Sequence, residues 1–276
     1  MNILFWNTNQ TKNKNNLTSL FKDSLIELLH ENDLDILILA EYPYNTNELC
    51  KTINIISPNQ YNNLPNISDN YRIRGIINNK FNVESLIEES RYQLIKITTS
   101  YYILIIAMIH NVSKLHSDTQ SEVVSRFYKE IADYENKLSC DYTIAIGDFN
   151  LNPFDDACVG GTAMHALPFV NTVVSNPVRY IEDKPYKKFY NPTWKFFGND
   201  KVPYTTYYHD KGGNINLYWY ALDQVILRPS LIKAFDMSSF RVISNTKSHN
   251  FIKNGKPNNK YSDHLPLFCN IKEDEL

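Results

Sequence analysis

Residues 141–150 read DYTIAIGDFN, an apolar run that ends in Gly-Asp-Phe-Asn. The run from residue 142 to residue 146 is short and continuous, which is typical of a strand buried between two layers. An acid, Asp148, and an amide, Asn150, follow it two positions apart. Asp and Asn after a strand commonly form turns. Taken alone, the stretch therefore indicates either a turn or the floor of an active site.

Similar apolar runs recur along the chain and alternate with amphipathic segments. Residues 17–30 and 119–138 carry apolar side chains at a three-to-four spacing, which predicts two helices. Thr119 and Glu122 form a capping-box pattern at the start of the second helix. Strands are predicted at residues 2–6, 34–39, 53–56, 71–77, 93–98, 102–109, 142–146, 221–227 and 265–271. Fully apolar strands among helices indicate a sheet covered by helices on at least one face.

Composition bounds the function classes. The 276 residues are 43% hydrophobic, which is enough to bury a sizeable core. With a formal charge of -2, the chain has no strong overall field that attracts nucleic acid, so a polyanion would need a local patch or metal ions. The four cysteines form no CxxC pair, which favours reduced thiols. The chain shows no signal-peptide pattern or long apolar run, so we predict a cytoplasmic protein without a membrane span.

Residues 152–216 differ from the rest of the chain in composition, since they are rich in Pro, Asn and aromatic residues and lack clear periodicity. Such a segment predicts a long functional loop region rather than a separate domain. Between residues 186 and 208 aromatic residues alternate with lysines, a composition that suits base stacking and phosphate contact. Trp194 and Lys195 are our candidate substrate contacts there. The alternative is that these aromatics, Trp194 above all, anchor the loop against the sheet.

Polar residues follow four of the predicted strands. Asn7, Glu41 and His110 each come directly after an apolar run, as Asp148 and Asn150 do. Ligands of layered α/β proteins collect at the carboxyl ends of strands. We therefore expect these side chains to converge on one cleft.

Two further acids lie in the C-terminal part, Asp223 in ALDQVIL and Asp263 beside His264 in SDHLPLF. Carboxylate and amide oxygens suit Mg²⁺ or Mn²⁺ rather than zinc, and the histidines suit proton transfer. Each residue taken singly could be a turn former or a core residue. Their order and spacing as a set favour a catalytic site.

The set resembles the endonuclease/exonuclease/phosphatase superfamily, the metal-dependent phosphoesterases related to deoxyribonuclease I and exonuclease III. The matching blocks are, in chain order, FWNTN, LILAEYP, AMIHN, IAIGDFNLNP, ALDQVIL and SDHLP. The segments GDFNLNPFDD, MHAL, FYNPTWKFFG and DQVILRPSL further resemble an uncharacterised branch of bacterial members. The resemblance implies a four-layer α/β sandwich, with two mixed β-sheets packed face to face and helices outside. It also implies a single catalytic domain over residues 1–276.

The resemblance implies a role for each matching position. Glu41 would bind the catalytic divalent cation, Mg²⁺ or Mn²⁺, with Asn7 and Asp263 in or near its coordination shell. Asp148 would activate the attacking water. Asn150 would position that water and, with Asn7, contact the substrate.

The histidines complete the implied site. His264, paired with Asp223, would stabilise the charge that builds on phosphorus. His110 would contact another nonbridging oxygen or assist the leaving group. Asn9 stands where exonuclease III-like repair enzymes carry an acid, so a second acidic group near the metal is not implied.

We therefore predict a metal-dependent phosphodiester hydrolase, a nuclease that acts on DNA or RNA, with nucleic acid as its partner in the sense of substrate. The first alternative is a phosphoesterase that acts on a small or lipid-linked phosphate. The second is a non-catalytic binding module on the same fold.

Overall fold

The computed structural model describes residues 1–10, 18–66, 72–113, 117–212 and 214–276. The longer helices are α1 (Ser19–Glu31), α2 (Thr46–Ile56) and α3 (Ser117–Leu138), and α4 (Asp156–Val159) and α5 (Val170–Ser175) are short. The strands are β1 (Asn2–Asn7), β2 (Ile36–Ala40), β3 (Tyr61–Asn63), β4 (Ile73–Asn78), β5 (Asn82–Glu88), β6 (Tyr92–Thr98), β7 (Ile103–His110), β8 (Thr143–Asp148), β9 (Ala166–Leu167), β10 (Val178–Ile181), β11 (Lys184–Lys187), β12 (Phe189–Tyr190), β13 (Tyr207–Tyr208), β14 (Trp219–Tyr220), β15 (Asp223–Leu227), β16 (Arg241–Val242), β17 (Ile252–Lys253), β18 (Lys256–Pro257) and β19 (Leu267–Asn270).

Two mixed sheets organise the molecule. The first sheet has the strand order β16-β19-β1-β2-β4-β3 and the second has the order β5-β6-β7-β8-β15-β12-β9. The β1–β2 and β7–β8 pairs are parallel. The flanking pairs are antiparallel, namely β1–β19 and β2–β4 in the first sheet and β6–β7 and β8–β15 in the second. Strands β1, β2, β7 and β8 therefore end at the edges where the predicted site residues stand.

The core lies in layers, and β1 shows how its sequence produces them. Alternate side chains of a strand point to opposite faces. Ile3 and Phe5 join the core between the two sheets, whereas Leu4 and Trp6 pack against α1 and α2. This alternation separates an inner core from an outer helix layer.

The second sheet has its own outer layer. Ile105 and Ala107 of β7 pack against Val124, Phe127 and Ile131 of α3. The order of layers is helix, sheet, sheet, helix, which confirms the predicted four-layer α/β sandwich.

Some predicted elements are wrong. Residues 53–56, predicted as a strand, belong to α2, whose N-cap Asn45 accepts a hydrogen bond from the Asn47 N–H. Leu49 and Ile53 are buried at helical spacing on this helix. A four-residue apolar run does not distinguish a strand from one face of a helix, and the cap eight residues upstream decides it.

Other boundaries shift. Helix α3 begins at Ser117, two residues before the predicted capping box, and β5 was not predicted because few of its side chains are apolar. The predicted first helix and fourth strand begin at Leu17 and Tyr71, which lie outside the described residues.

Residues 152–216 are more regular than the predicted loop region. They contain α4, α5, the strands β9 to β13 and a 3₁₀ helix at Pro192–Gly198. Strands β9 and β12 extend the second sheet. Phe189, Tyr190 and Phe196 are buried, so many aromatics of this segment pack the core.

The four cysteines are free and buried. No helix in the described part of the chain combines the length and apolarity needed to cross a membrane.

Candidate active site

Three acidic or basic side chains lie on one rung of the second sheet. In the strand register His110 of β7 pairs with Asp148 of β8, and Asp148 pairs with Asp223 of β15. Paired residues point to the same face of a sheet. Asn7, at the end of β1 in the opposite sheet, donates a hydrogen bond from Nδ2 to Asp148 Oδ2 at 2.9 Å. Asp148 is therefore the residue through which this row of paired side chains contacts β1 of the opposite sheet.

The turn after β8 wraps around the Asp148 carboxylate. Asn150 has a left-handed φ of 51°, a region that Asn tolerates better than most residues. Its backbone N–H donates to Asp148 Oδ1 at 2.8 Å and its Nδ2 donates to Oδ2 at 3.2 Å. Together with Asn7, these bonds fix both carboxylate oxygens.

Burial sets the protonation of Asp148. The side chain is almost fully buried, and burial together with the negative charge of Asp223 raises its pKa to about 6. The positive fields of His264 and His110 and the Asn7 hydrogen bond oppose that rise. Asp148 is therefore a stronger base than an exposed aspartate and accepts a proton near neutrality.

His264 and Asp223 form a buried pair. His264 Nδ1 lies 2.8 Å from Asp223 Oδ2. Burial lowers the pKa of His264, but Asp223, Asp148 and Asp263 outweigh it and raise the pKa to about 10. The ring is therefore an imidazolium at neutral pH, and its Nε2–H is available as a donor.

Hydrogen bonds to the backbone of His264 and of Asn7 hold the His264 segment against β1 of the first sheet. Its carbonyl oxygen accepts from Trp6 Nε1 at 2.9 Å, and its N–H donates to Ser262 Oγ at 3.0 Å. Ser262 Oγ in turn donates to the Asn7 carbonyl oxygen at 2.7 Å. The segment before β19 is thereby tied to the end of β1.

Glu41 and His110 form a second pair beside Asp148. His110 Nε2 lies 3.2 Å from Glu41 Oε1 and 4.0 Å from Asp148 Oδ2. Glu41 has a left-handed φ of 52° directly after β2, which turns the chain at the sheet edge. Such strained backbone is often found where a side chain must be aimed into a site.

A cavity of about 710 Å³ opens over these groups. The predicted site residues that line it are Asn7, Glu41, His110, Asp148, Asn150, Asp263 and His264. Asp223 lies behind His264 and is fully buried. The structure thus brings together eight of the ten residues selected from the sequence.

Trp194 and Lys195 do not join them. Both lie on the 3₁₀ helix Pro192–Gly198 and neither lines the cavity. Lys195 Nζ donates to the carbonyl oxygens of Met237 and Phe240, so its ammonium group is held by intramolecular hydrogen bonds away from the cavity. Trp194 packs edge-on against Phe154. The Trp194 contact is of the kind expected under the alternative in which the aromatics anchor the segment.

Several cavity residues were not selected from the sequence. They include Arg72, Arg91, Tyr207, His209 and Tyr220, all of which line the cavity. Tyr207 has its ring centre 4.7 Å from that of His264. Arg72 directly precedes β4, which is antiparallel to β2, and Arg91 directly precedes β6, which is antiparallel to β7. Because an antiparallel strand begins where its neighbour ends, the residue before such a strand lies at the same sheet edge as Glu41 or His110. This position in the sequence could have identified both arginines as site residues.

The donor set of the cavity fits a hard divalent cation. Glu41, Asn7 and Asp263 offer oxygen atoms to one space. Asp263 Oδ1 is buried and has no hydrogen-bond partner among the described residues. A buried carboxylate oxygen without a partner is costly, and a bound cation would offset that cost.

A second group of possible ligands is less suited to a metal. Asp148, Asp223 and His264 offer atoms within 4.8 Å of one another. His264 is held as an imidazolium, however, and its Nδ1 faces Asp223. A protonated ring has no free lone pair for a metal, so this trio suits proton transfer and charge stabilisation.

Comparison with known proteins bears on the fold. No family model matches the sequence, and no curated protein matches it. Among solved structures, truncated TDP2 from Caenorhabditis elegans matches with a TM-score of 0.60 at 12% identity, over 98% of this chain and 96% of that chain.

Two further structures are similar. TDP2 from D. rerio, complexed with single strand DNA product, has a TM-score of 0.55 at 18% identity and covers 98% and 97% of the two chains. The human Nocturnin catalytic domain with bound sulfate anion has a TM-score of 0.56 at 15% identity and covers 98% and 93%. These proteins are members of the endonuclease/exonuclease/phosphatase superfamily. The chain has the fold of that superfamily, as the six sequence blocks predicted.

Proposed function

We propose that this protein is a metal-dependent phosphodiester hydrolase that acts on nucleic acid, with DNA as the first candidate substrate and RNA as the second. One observation carries the proposal. A buried His264–Asp223 pair and an Asp148 carboxylate held by Asn7 and Asn150 face one open cavity. Since the structural matches cover 98% of the chain, we further propose that residues 1–276 form one catalytic domain.

The geometry divides the chemistry among the residues of this chain. A phosphodiester is anionic and repels a nucleophile, so hydrolysis needs an oriented water and positive charge on the phosphoryl oxygens. Asp148, with its raised pKa, takes the proton from water, and Asn150 orients that water. The His264 imidazolium donates to a nonbridging oxygen as negative charge builds there.

Asp223 and His110 support this arrangement. Asp223 holds the tautomer and the charge of His264 through the 2.8 Å contact. His110, 3.2 Å from Glu41, lies on the other side of Asp148, where it can contact a second phosphoryl oxygen or the leaving group.

A divalent cation, Mg²⁺ or Mn²⁺, would be held by Glu41 and Asp263 with Asn7 nearby. When bound, it would neutralise charge on the phosphate as a Lewis acid. The partnerless buried oxygen of Asp263 is the feature that supports this ligand set.

Nucleic acid is favoured by the rim of the cavity. Tyr207 and Tyr220 supply aromatic faces, and Arg72 and Arg91 supply positive charge. Rings that stack on bases beside cations that follow the backbone are typical of single-strand binding. The D. rerio structure named above is complexed with single strand DNA product.

The cavity volume favours a second candidate function. A space of about 710 Å³ falls in the range of small-molecule pockets. A phosphoesterase on a small phosphorylated metabolite or head group would use the same chemistry.

A substrate panel separates the two candidates. The protein is incubated with Mg²⁺ or Mn²⁺ and single-stranded DNA, duplex DNA or RNA, and in parallel with an inositol phosphate and a chromogenic phosphodiester. We expect cleavage of a nucleic acid that EDTA abolishes and added Mg²⁺ restores. Cleavage of the small substrates alone would exclude the nuclease, and EDTA-resistant activity would exclude the metal mechanism.

Two substitutions test the site. We expect Asp148→Asn and His264→Ala to lower kcat by at least about 100-fold, since each removes a proton-transfer or charge-stabilising group. Matched controls are Asp183→Asn, on the β10–β11 turn, and His30→Ala, at the exposed end of α1. Thermal unfolding verifies that all four variants fold. Full activity of either site variant would refute the assignment.

A further inference from the structure

Two arginines occupy equivalent places in the two sheets. Arg72 directly precedes β4 and Arg91 directly precedes β6. Strand β4 is antiparallel to β2, and β6 is antiparallel to β7. Each arginine therefore lies at the sheet edge where β2 and β7 end, and both line the cavity.

Backbone hydrogen bonds fix their level relative to the site. The Glu41 N–H donates to the Arg72 carbonyl oxygen at 3.1 Å, and the His110 N–H donates to the Arg91 carbonyl oxygen at 2.9 Å. Arg72 thus lies beside Glu41, and Arg91 beside His110, each on the neighbouring strand further from β1 and β8. Their position follows from sheet pairing.

The lateral order of residues is the same in both sheets. In the first sheet Asn7, Glu41 and Arg72 stand at the edge of β1, β2 and β4. In the second sheet Asp148, His110 and Arg91 stand at the edge of β8, β7 and β6. The sheets face each other with β1 against β8 and β4 against β7.

This order separates the arginines from the water-activating group. Neighbouring strands lie about 4.8 Å apart, so two steps along the sheet displace the arginine backbones by roughly 10 Å from those of Asn7 and Asp148. The arginine backbones are therefore displaced along the sheets from the backbones of Asn7 and Asp148, although both side chains line the same cavity.

The local charges favour an anion between them. Burial lowers the pKa of Arg91, the positive charge of Arg72 lowers it further, and Glu41 opposes this. Both guanidinium groups bring positive charge to one half-buried cavity, where a phosphate would meet two cations. Guanidinium forks match the oxygens of a phosphate, often in bidentate fashion.

We propose that Arg72 and Arg91 form a subsite for a second phosphate group of the substrate, next to the scissile one. The inference rests on the proposed function, since it takes the scissile phosphate to lie at Asp148 and His264. The second phosphate would be the neighbouring internucleotide phosphate of a strand or a terminal phosphate on a short substrate. Substrates with one phosphate would miss this contact.

Binding of short ligands tests the subsite without relying on turnover. Three dithymidine ligands carry a non-hydrolysable methylene-phosphonate linkage, and they end in free hydroxyls, a 5′-phosphate or a 3′-phosphate. Isothermal titration calorimetry with Mg²⁺ measures the Kd of each. We expect one terminal phosphate to tighten binding by about tenfold or more, the scale of one charge-assisted contact. The preferred end then shows on which side of the scissile phosphate the subsite lies.

Variants assign the gain to the arginines. Arg91→Gln and Arg72→Gln should each reduce the gain to about threefold or less, and Arg91→Lys should retain part of it because the charge remains. Arg179→Gln, which removes an exposed arginine of β10 that does not line the cavity, should keep the full gain. Thermal unfolding checks that each variant is folded.

The outcomes are distinguishable from those of the proposed function. Equal affinity of the wild-type protein for the three ligands, or no binding of any, would overturn the subsite. So would a gain that survives in both glutamine variants. Failure of the proposed function would appear separately, as no cleavage of nucleic acids or their ordinary dinucleotides with Mg²⁺ or Mn²⁺.

Discussion

Several residues that shape the site have unusual backbone conformations. Asn9, Glu41 and Asn150 have left-handed φ values, and Gly147 has a φ of 149°. All lie just after a strand or at its last residues. The strands end beside the cavity, and the chain changes direction at these residues.

Gly147 is the position where this requirement is strictest. A Cβ atom there would lie 2.0 Å from the Ile109 carbonyl oxygen on the neighbouring strand, a backbone atom that cannot move aside. We expect Gly147→Ala to reduce the free energy of unfolding by about 3 kcal/mol or more, from strain and steric conflict together. Urea denaturation followed by circular dichroism measures the change.

Gly198 provides the matched control. A Cβ atom at Gly198 would have no atom within 4 Å, and its φ is not positive. Gly198→Ala should change stability by less than about 0.5 kcal/mol. An equal effect of the two substitutions would contradict the close approach of β7 and β8.

At the scale of elements, a buried ion pair joins α3 to the end of β15. Arg228 Nε donates to Glu135 Oε1 at 2.7 Å, and both side chains are almost completely buried. The guanidinium also stacks on the Phe189 ring at 3.6 Å. The contact therefore ties the outer helix layer to the second sheet.

Breaking one half of this pair should be costlier than replacing both halves. Arg228→Met leaves the Glu135 carboxylate buried without its main partner, so we expect a loss of about 3–5 kcal/mol in the free energy of unfolding. The double variant Arg228→Met with Glu135→Leu should recover much of that loss, because no charge remains buried. Denaturation of the single and double variants measures the coupling. Strict additivity would contradict the pair.

The elements also show how far the sequence predicts the fold. The strands β1, β2, β7 and β8 are short continuous apolar runs, and this pattern was sufficient to locate them. Helix α2 was mistaken for a strand, because its apolar face is short and its cap lies upstream. The packing of two mixed sheets face to face is a long-range property that came from the family resemblance, and the strand order within each sheet was not predicted.

The same division applies to the site. Residues at the ends of apolar strands, such as Glu41 and Asp148, could be selected because strand ends meet in such folds. Lys195 was selected from local composition, which does not reveal that its ammonium group bonds to carbonyl oxygens elsewhere in the chain. Arg72 and Arg91 were missed because their relevance depends on which strands pair.

At the scale of the whole molecule, one buried histidine makes stability depend on pH. His165 is 2% exposed, and its Nδ1 has no partner among the described residues. Burial and the positive charges of Lys188, Arg179 and Arg228 lower its pKa from 6.5 to about 4. The folded protein thus resists a proton that the unfolded chain accepts.

The sign of the effect follows from this difference. The stabilisation is fully present above pH 6.5 and is lost as the pH falls toward 4, since only the unfolded state gains the proton in that range. We expect a loss on the order of 2 kcal/mol from this group. His165→Asn, which does not titrate and tolerates the left-handed φ of 48°, should make the slope of stability against pH less positive between pH 4 and 6.5 than in the wild-type protein. Identical slopes for the two proteins would contradict the buried neutral histidine.

The shared rung of His110, Asp148 and Asp223 has a consequence for where the sequence of this fold can vary. These side chains are set by the pairing of three neighbouring strands, so their arrangement is a property of the sheet itself. Arg72, Tyr207 and His209 also line the cavity but belong to none of those three strands. The rim of the cavity can therefore change its charge and shape separately from the rung.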